Sequence, residues 1–154
     1  IRQQLCKYLC EKPAPAHPFT TLQHRSGQHI RNTLQRQFPG AGIKVKIRDK
    51  VYSSPALDEF NAWLEEDQLN TRVYHPDWFD CDDFAAAIRC KMFKIGQAYK
   101  TTLTIAYCEG YAPDGYHAYN LLIDNNDAIY IIEPQEDHVV PAAESMYRTD
   151  FIQL

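Results

Sequence analysis

Residues 116–133 read YHAYNLLIDNNDAIYIIE. Two runs rich in β-branched, aromatic and aliphatic residues, 116–123 and 128–133, flank Asp124-Asn125-Asn126-Asp127. Asn and Asp bond to nearby backbone and tolerate the left-handed conformation, so the four residues mark a turn between two strands. Successive strand side chains point to opposite faces. His117, Tyr119, Leu121 and Ile123 therefore share one face, and Asp127, Ile129, Ile131 and Glu133 share one face of the next strand. A three-residue loop, Asp124 to Asn126, pairs Ile123 with Asp127 and sets His117 directly across from Glu133. Cross-strand neighbours stand about 4.5–5.5 Å apart at Cβ, so Glu133 is predicted to accept one imidazole N–H of His117 and leave the other ring nitrogen for chemistry. A two- or four-residue loop would turn Glu133 to the other face.

Upstream, residues 102–108 are an apolar, β-branched run ended by Glu109-Gly110, which predicts a strand, and 111–115 read as a loop. Asp80 or a neighbour caps a helix from about Cys81 to Met92, with Phe84, Ile88 and Met92 at four-residue steps toward a core. Cys81 then lies in the first turn. Unpaired backbone N–H groups and the positive dipole end at that position favour a thiolate and can hold an oxyanion. Cys81 as nucleophile, His117 as base and Glu133 as the group orienting the base fill the three roles of an activated-nucleophile site.

The first half of the chain reads as scaffold. Residues 1–11 form one short helix, with Cys6 and Cys10 on one face, and Pro13, Pro15 and Pro18 force an extended stretch after it. Ser26 caps a helix running to Phe38, which Pro39-Gly40 terminates. Ile43, Val45 and Ile47 alternate with Lys44, Lys46, Arg48 and Lys50, the pattern of a strand with one solvated face. A helix opens around Ser54 with Pro55 in its first turn and an apolar stripe of Leu57, Phe60, Trp63 and Leu64.

The 154 residues fit one domain, 1–154, divided into a helical scaffold part, 1–70, and a catalytic core, 71–140. A formal charge of −4 without a clustered basic surface argues against a nucleic-acid partner. The sequence shows neither a membrane-spanning apolar run nor a signal-peptide core, so it reads as soluble, with no membrane partner and its localisation open. Five cysteines leave at least one thiol unpaired within the chain, and their spacing matches no zinc motif.

The segments Asp80-Cys81-Asp82-Asp83-Phe84-Ala85, Tyr116-His117-Ala118-Tyr119-Asn120 and Ile132-Glu133-Pro134-Gln135 together resemble the papain-like cysteine protease domain carried by fungal chimerolectins of the Marasmius oreades agglutinin type. The resemblance covers roughly residues 70–140 and rests on the order and spacing of Cys, His and Glu-Pro-Gln. It implies Cys81, His117 and Glu133 as the catalytic set, with Gln135 supporting them. It also implies calcium, held in part by Asp82 and Asp83, since hard cations take several carboxylate oxygens. An upstream aromatic that shapes the family's site has three competing counterparts here, Tyr74, His75 and Trp78. The family's sugar-binding β-trefoil is missing from this sequence, so the resemblance implies no glycan targeting by this chain. A fused binding domain outside it is allowed.

The expected architecture is α+β, of papain-like or transglutaminase-like cysteine-hydrolase type: N-terminal helices plus an antiparallel sheet, with the nucleophile at a helix N-terminus. The expected reaction is acyl transfer from a peptide or protein substrate through a thioester to water. Two rivals stand beside it: an inactive binding or assembly module on the same scaffold, and a transglutaminase-type acyltransferase.

Overall fold

The structure is a computed structural model that describes residues 18–40 and 42–154. The helix expected over 1–11, and the shared face of Cys6 and Cys10, lie outside the described residues. Strand β1 (Leu22–Ser26) leads directly into helix α1 (Gly27–Gln37). Ser26 keeps an extended backbone and its hydroxyl accepts the His29 N–H at 3.1 Å, satisfying one of the helix's unpaired donors as the sequence predicts. Ile30 and Leu34 are buried on the inner face.

Strand β2 (Lys44–Lys46) exposes both lysines and turns Val45 inward. Strand β3 (Val51–Pro55) pairs antiparallel with β1, from Leu22 opposite Pro55 to Ser26 opposite Val51. Ser54 and Pro55 are therefore strand residues rather than the start of a helix. The reason is tertiary: Ser53 N–H donates to the Thr102 carbonyl at 2.8 Å and its own carbonyl accepts Thr104 N–H at 3.1 Å, which holds this backbone extended. Helix α2 (Leu57–Asp67) begins two residues later and buries Phe60, Trp63 and Leu64 as expected.

Helix α3 (Cys81–Tyr99) continues well past Met92. Ile95 and Gly96 extend its buried face, and a Cβ on Gly96 would stand 2.5 Å from the Thr101 carbonyl oxygen, so glycine lets the following chain pack against the helix. The remaining strands are β4 (Ile105–Ala112), β5 (Gly115–Ile123), β6 (Ile129–Glu133), β7 (His138–Pro141) and β8 (Arg148–Gln153). The expected stop at Glu109-Gly110 is instead an irregularity in the β4–β8 ladder, and β4 runs on into a tight connection with β5.

The larger sheet has the order β2-β8-β4-β5-β6-β7, antiparallel except for the parallel pair β2–β8. On one face Leu122, Ile132 and Ile105 pack with Phe60, Trp63, Phe84, Ile88 and Met92 from α2 and α3. On the other, Leu121, Ile123, Ile131 and Ile152 pack with Ile30 and Leu34 from α1. A sheet buried on both faces explains why Leu121-Leu122-Ile123 is a continuous apolar run. It also corrects the expected layout. The N-terminal part supplies three strands as well as helices, and the sheet is mixed and sandwiched between helical layers. None of the helices among the described residues is long and apolar enough to cross a membrane.

Candidate functional site

The β5–β6 register pairs Asn120 with Ile132 and Ile123 with Ile129, so the connection is the five residues 124–128, not three. The Asp124 carboxylate organises it by accepting the Asn126 and Ala128 N–H groups, each at 2.9 Å, while Asp127 takes the left-handed conformation at φ 65°. Continuing the ladder puts Glu133 opposite Tyr119, two positions from where the sequence reading set it. Because side chains repeat every second residue, a two-residue shift leaves Glu133 on the same face as His117. The pair meets diagonally, with His117 Nε2 2.6 Å from Glu133 Oε2.

Glu133 is held from three sides. Besides His117, its Oε2 accepts the Tyr147 hydroxyl at 3.0 Å and its Oε1 accepts the Gln135 backbone N–H at 3.2 Å. Gln135 thus meets Glu133 through its main chain. The Tyr147 ring packs edge-on against Tyr119, centroids 4.7 Å apart, and tilts toward the His117 ring at 6.3 Å. The hydrogen bond that His117 donates to Glu133 raises the His117 pKa above its ordinary value; burial opposes this, and the charges of Glu133 and Asp114 add to it.

Cys81 begins α3 beneath its cap, Asp80, whose carboxylate accepts the Asp82 N–H at 3.3 Å. The thiol is free and partly buried, and its sulfur accepts the backbone N–H of Ala118, the residue after His117. Here the expected electrostatics fail. Burial pushes the thiol pKa up, the Ala118 and Asp82 N–H groups pull it down, and the carboxylates of Asp80 and Asp82 push it up again, leaving it above its usual value. The acidic first turn that suits the helix dipole disfavours a thiolate.

Upstream of Cys81, Tyr74 and Trp78 are exposed, and the Trp78 ring lies against His75 with centroids 4.6 Å apart. The Tyr74 hydroxyl is raised by desolvation and then by the neighbouring Cys81 and Asp80, which ties it electrostatically to the thiol. Asp82 and Asp83 join Asp80 in a group whose carboxylate oxygens lie within 4.8 Å of one another. Three carboxylates are part of the oxygen set a calcium ion takes.

Two contributions escaped the sequence reading. Tyr147 lies beyond β7 in no periodic pattern, and nothing in its neighbours marks it. Asp80 is the helix cap that the sequence predicts and, with Asp82 and Asp83, also belongs to the carboxylate group.

No protein-family model and no curated protein matches the chain. Solved structures do match. One, described as "PSL1a-E64 complex", superposes with a TM-score of 0.73 at 21% identity, over 85% of this chain and 50% of the other. A second is a Polyporus squamosus lectin bound to the human-type influenza-binding epitope Neu5Aca2-6Galb1-4GlcNAc, with a TM-score of 0.70 at 20% identity, over 85% of this chain and 49% of the other. The chain thus spans about half the length of these structures, and at such identities the likeness is one of fold.

These findings correct the sequence reading. The fold resembles that of about half of each of these two chains, and the assignment to the papain-like protease domain of fungal chimerolectins, or to a papain-like or transglutaminase-like hydrolase fold, is replaced by that likeness. Hydrolysis of a peptide or protein substrate through Cys81, and the acyltransferase rival, lose their basis with that assignment.

Proposed function

We propose that the chain is a ligand-binding module, without turnover, whose site is formed by Cys81, His117 and Glu133 with Gln135 behind them and Tyr74 and Trp78 at the rim. The observation that carries this reading is the geometry of the site, where Glu133 holds His117 Nε2 at 2.6 Å beside the free, partly buried thiol of Cys81. His117 is held toward its cationic form by Glu133, and Cys81 toward its neutral thiol by burial and two aspartates. The site therefore offers hydrogen-bond donors beside exposed aromatic surface with polar tips. An acceptor-rich, hydroxylated ligand matches that surface, and the lectin likeness puts a glycan first among such ligands. We further propose that calcium binds at Asp80, Asp82 and Asp83 and stiffens the first turn of α3.

Titration calorimetry with Neu5Aca2-6Galb1-4GlcNAc and a panel of neutral oligosaccharides tests the reading. Binding should weaken by about tenfold or more, roughly 1.4 kcal/mol, in Trp78→Ala and in His117→Ala. Absence of binding across the panel would count against a glycan. Release of fragments from a peptide library that stops in Cys81→Ala, with a Cys81 adduct of E64, would overturn the module and restore covalent chemistry to the site.

A further inference from the structure

A groove of about 950 Å³ lies between α3 and the β2-β8-β4 end of the large sheet, within the size of small-molecule sites. The strand register orders its floor. Lys46, Gln153 and Tyr107 stand side by side on β2, β8 and β4, and Lys44, Phe151 and Glu109 form the neighbouring row on the same face. Helix α3 crosses these rows from Cys81, bonded to Ala118 opposite Glu109, to Arg89, which donates to the Gln153 carbonyl. The groove therefore has an acidic end at Asp82, Asp83 and Glu109 and a basic end at Arg89 and Lys46.

Arg89 is partly buried, and a guanidinium stays charged in any protein setting. Among the described residues it pairs with no carboxylate. Burial opposes its charge and Arg48 repels it, while Asp49 acts only from a distance and accepts the Thr102 hydroxyl at 2.8 Å. A charge withdrawn from water without a counter-ion is costly, and a bound anion would offset that cost. Lys44 and Lys46, whose alternation reads as the solvated face of a strand, line the same groove, and Lys46 Nζ sits 5.1 Å from the centroid of the Phe151 ring. Phe93 follows Arg89 by four residues on one helix face and is 63% exposed. Cationic and aromatic surfaces thus meet at this end.

We propose that the basic end of the groove binds a small organic carboxylate, its carboxylate between Arg89 and Lys46 and its apolar body against Phe151, Tyr107 and Phe93. The planar fork of a guanidinium matches a carboxylate, and one bond to Gln153 leaves further N–H donors for it. A dianionic phosphate fits less well, because Asp82, Asp83, Glu109 and Asp150 line the same groove and would repel two charges about twice as strongly as one. Binding here requires neither Cys81 nor His117.

The test titrates 1-naphthaleneacetate into the full chain and follows its fluorescence, with the neutral amide of the same compound as the isostere. The acid should bind, and the amide should bind about tenfold or more weakly. Arg89→Gln should weaken the acid by about tenfold or more and Lys46→Gln by about threefold, leaving the amide unchanged. Lys46 is exposed, so that variant decides the matter if loss of the Arg89 bond to Gln153 unfolds the chain. Added sodium chloride should weaken the acid more than the amide. No binding of the acid, equal affinity for acid and amide, an acid affinity unchanged in the folded variants, or displacement by inorganic phosphate at concentrations matching the acid's would each overturn the carboxylate site.

Discussion

His117 Nε2 lies 2.6 Å from Glu133 Oε2 although the ladder places Glu133 opposite Tyr119, so the pair is diagonal across β5 and β6. Both side chains are largely withdrawn from solvent, at 16% and 12% exposure, and the folded protein holds the imidazole proton more tightly than the unfolded chain does. A group whose pKa is raised on folding stabilises the protein below its unfolded value and loses that contribution as pH climbs through the folded one. Glu133→Gln should cost about 1–3 kcal/mol at pH 6, and the gap from the parent should narrow toward pH 9. Thermal melts across this range, with an NMR titration of His117, check it; a gap that stays constant or widens with pH would refute the pairing's role.

The diagonal also shows how far the residues could be read in advance. Alternation along 116–133 identified both strands and the face shared by His117 and Glu133, because a period of two survives any even register error. Loop length was not legible, because Asp124 ties the Asn126 and Ala128 amides and so makes a five-residue turn out of residues that also suit three. The helical start expected at Ser54 failed for a similar reason. Local propensity and Pro55 favour a helix, and bonds from Ser53 to residues some fifty positions away decide otherwise. The first turn of α3 is legible from Asp80 and the apolar spacing that follows, whereas the burial of Cys81 and the opposing charges of Asp80 and Asp82 emerge only from the folded chain.

Tyr147→Phe removes the hydroxyl that donates to Glu133 while keeping the ring against Tyr119. A loss of about 0.5–1.5 kcal/mol is expected for one such bond. A purely structural tyrosine would change stability and nothing else. A positioning residue should also move the His117 titration upward, because Glu133 then leans more heavily on the imidazole proton. An unchanged His117 titration would leave Tyr147 with packing alone.

For the cluster at Asp80, Asp82 and Asp83, a ligand bound only by the folded state raises the unfolding midpoint with its concentration. Millimolar calcium should raise the midpoint, EDTA should reverse the rise, and Asp82→Asn with Asp83→Asn should abolish it. Magnesium, which demands tighter octahedral geometry, should substitute poorly. Midpoints indifferent to calcium would remove the metal.

Gly110 lies where the β4–β8 ladder shifts, with β8 backbone pressed against it. A Cβ there would stand 2.2 Å from the Arg148 carbonyl oxygen and 2.9 Å from Thr149 Cα. Rigid backbone cannot step aside as a flexible side chain can, so Gly110→Ala should destabilise by about 1–3 kcal/mol or more through overpacking. Denaturant unfolding measures it, and a loss below about 0.5 kcal/mol would mean that β8 is freer to shift than its packing indicates.

Asn120 is fully buried, and its Nδ2 donates at 3.0 Å both to the Ala85 carbonyl of α3 and to the Ala106 carbonyl of β4, joining helix to sheet beside the candidate site. Asn120→Asp keeps the shape and replaces a donor pair by an acceptor that faces two carbonyl oxygens. Ionised, it would be repelled by both and stripped of water; protonated, it can still donate to one of them. Its pKa should therefore rise on folding, so that the folded state binds more protons than the unfolded one and stability falls as pH increases above the ordinary aspartate range near 3.9. The parent should show no such added slope. Melts from pH 4 to pH 8 should find Asn120→Asp closest to the parent at the acid end and progressively weaker above it. A pH-independent difference would mean that water reaches this position and that the helix is joined to the sheet elsewhere.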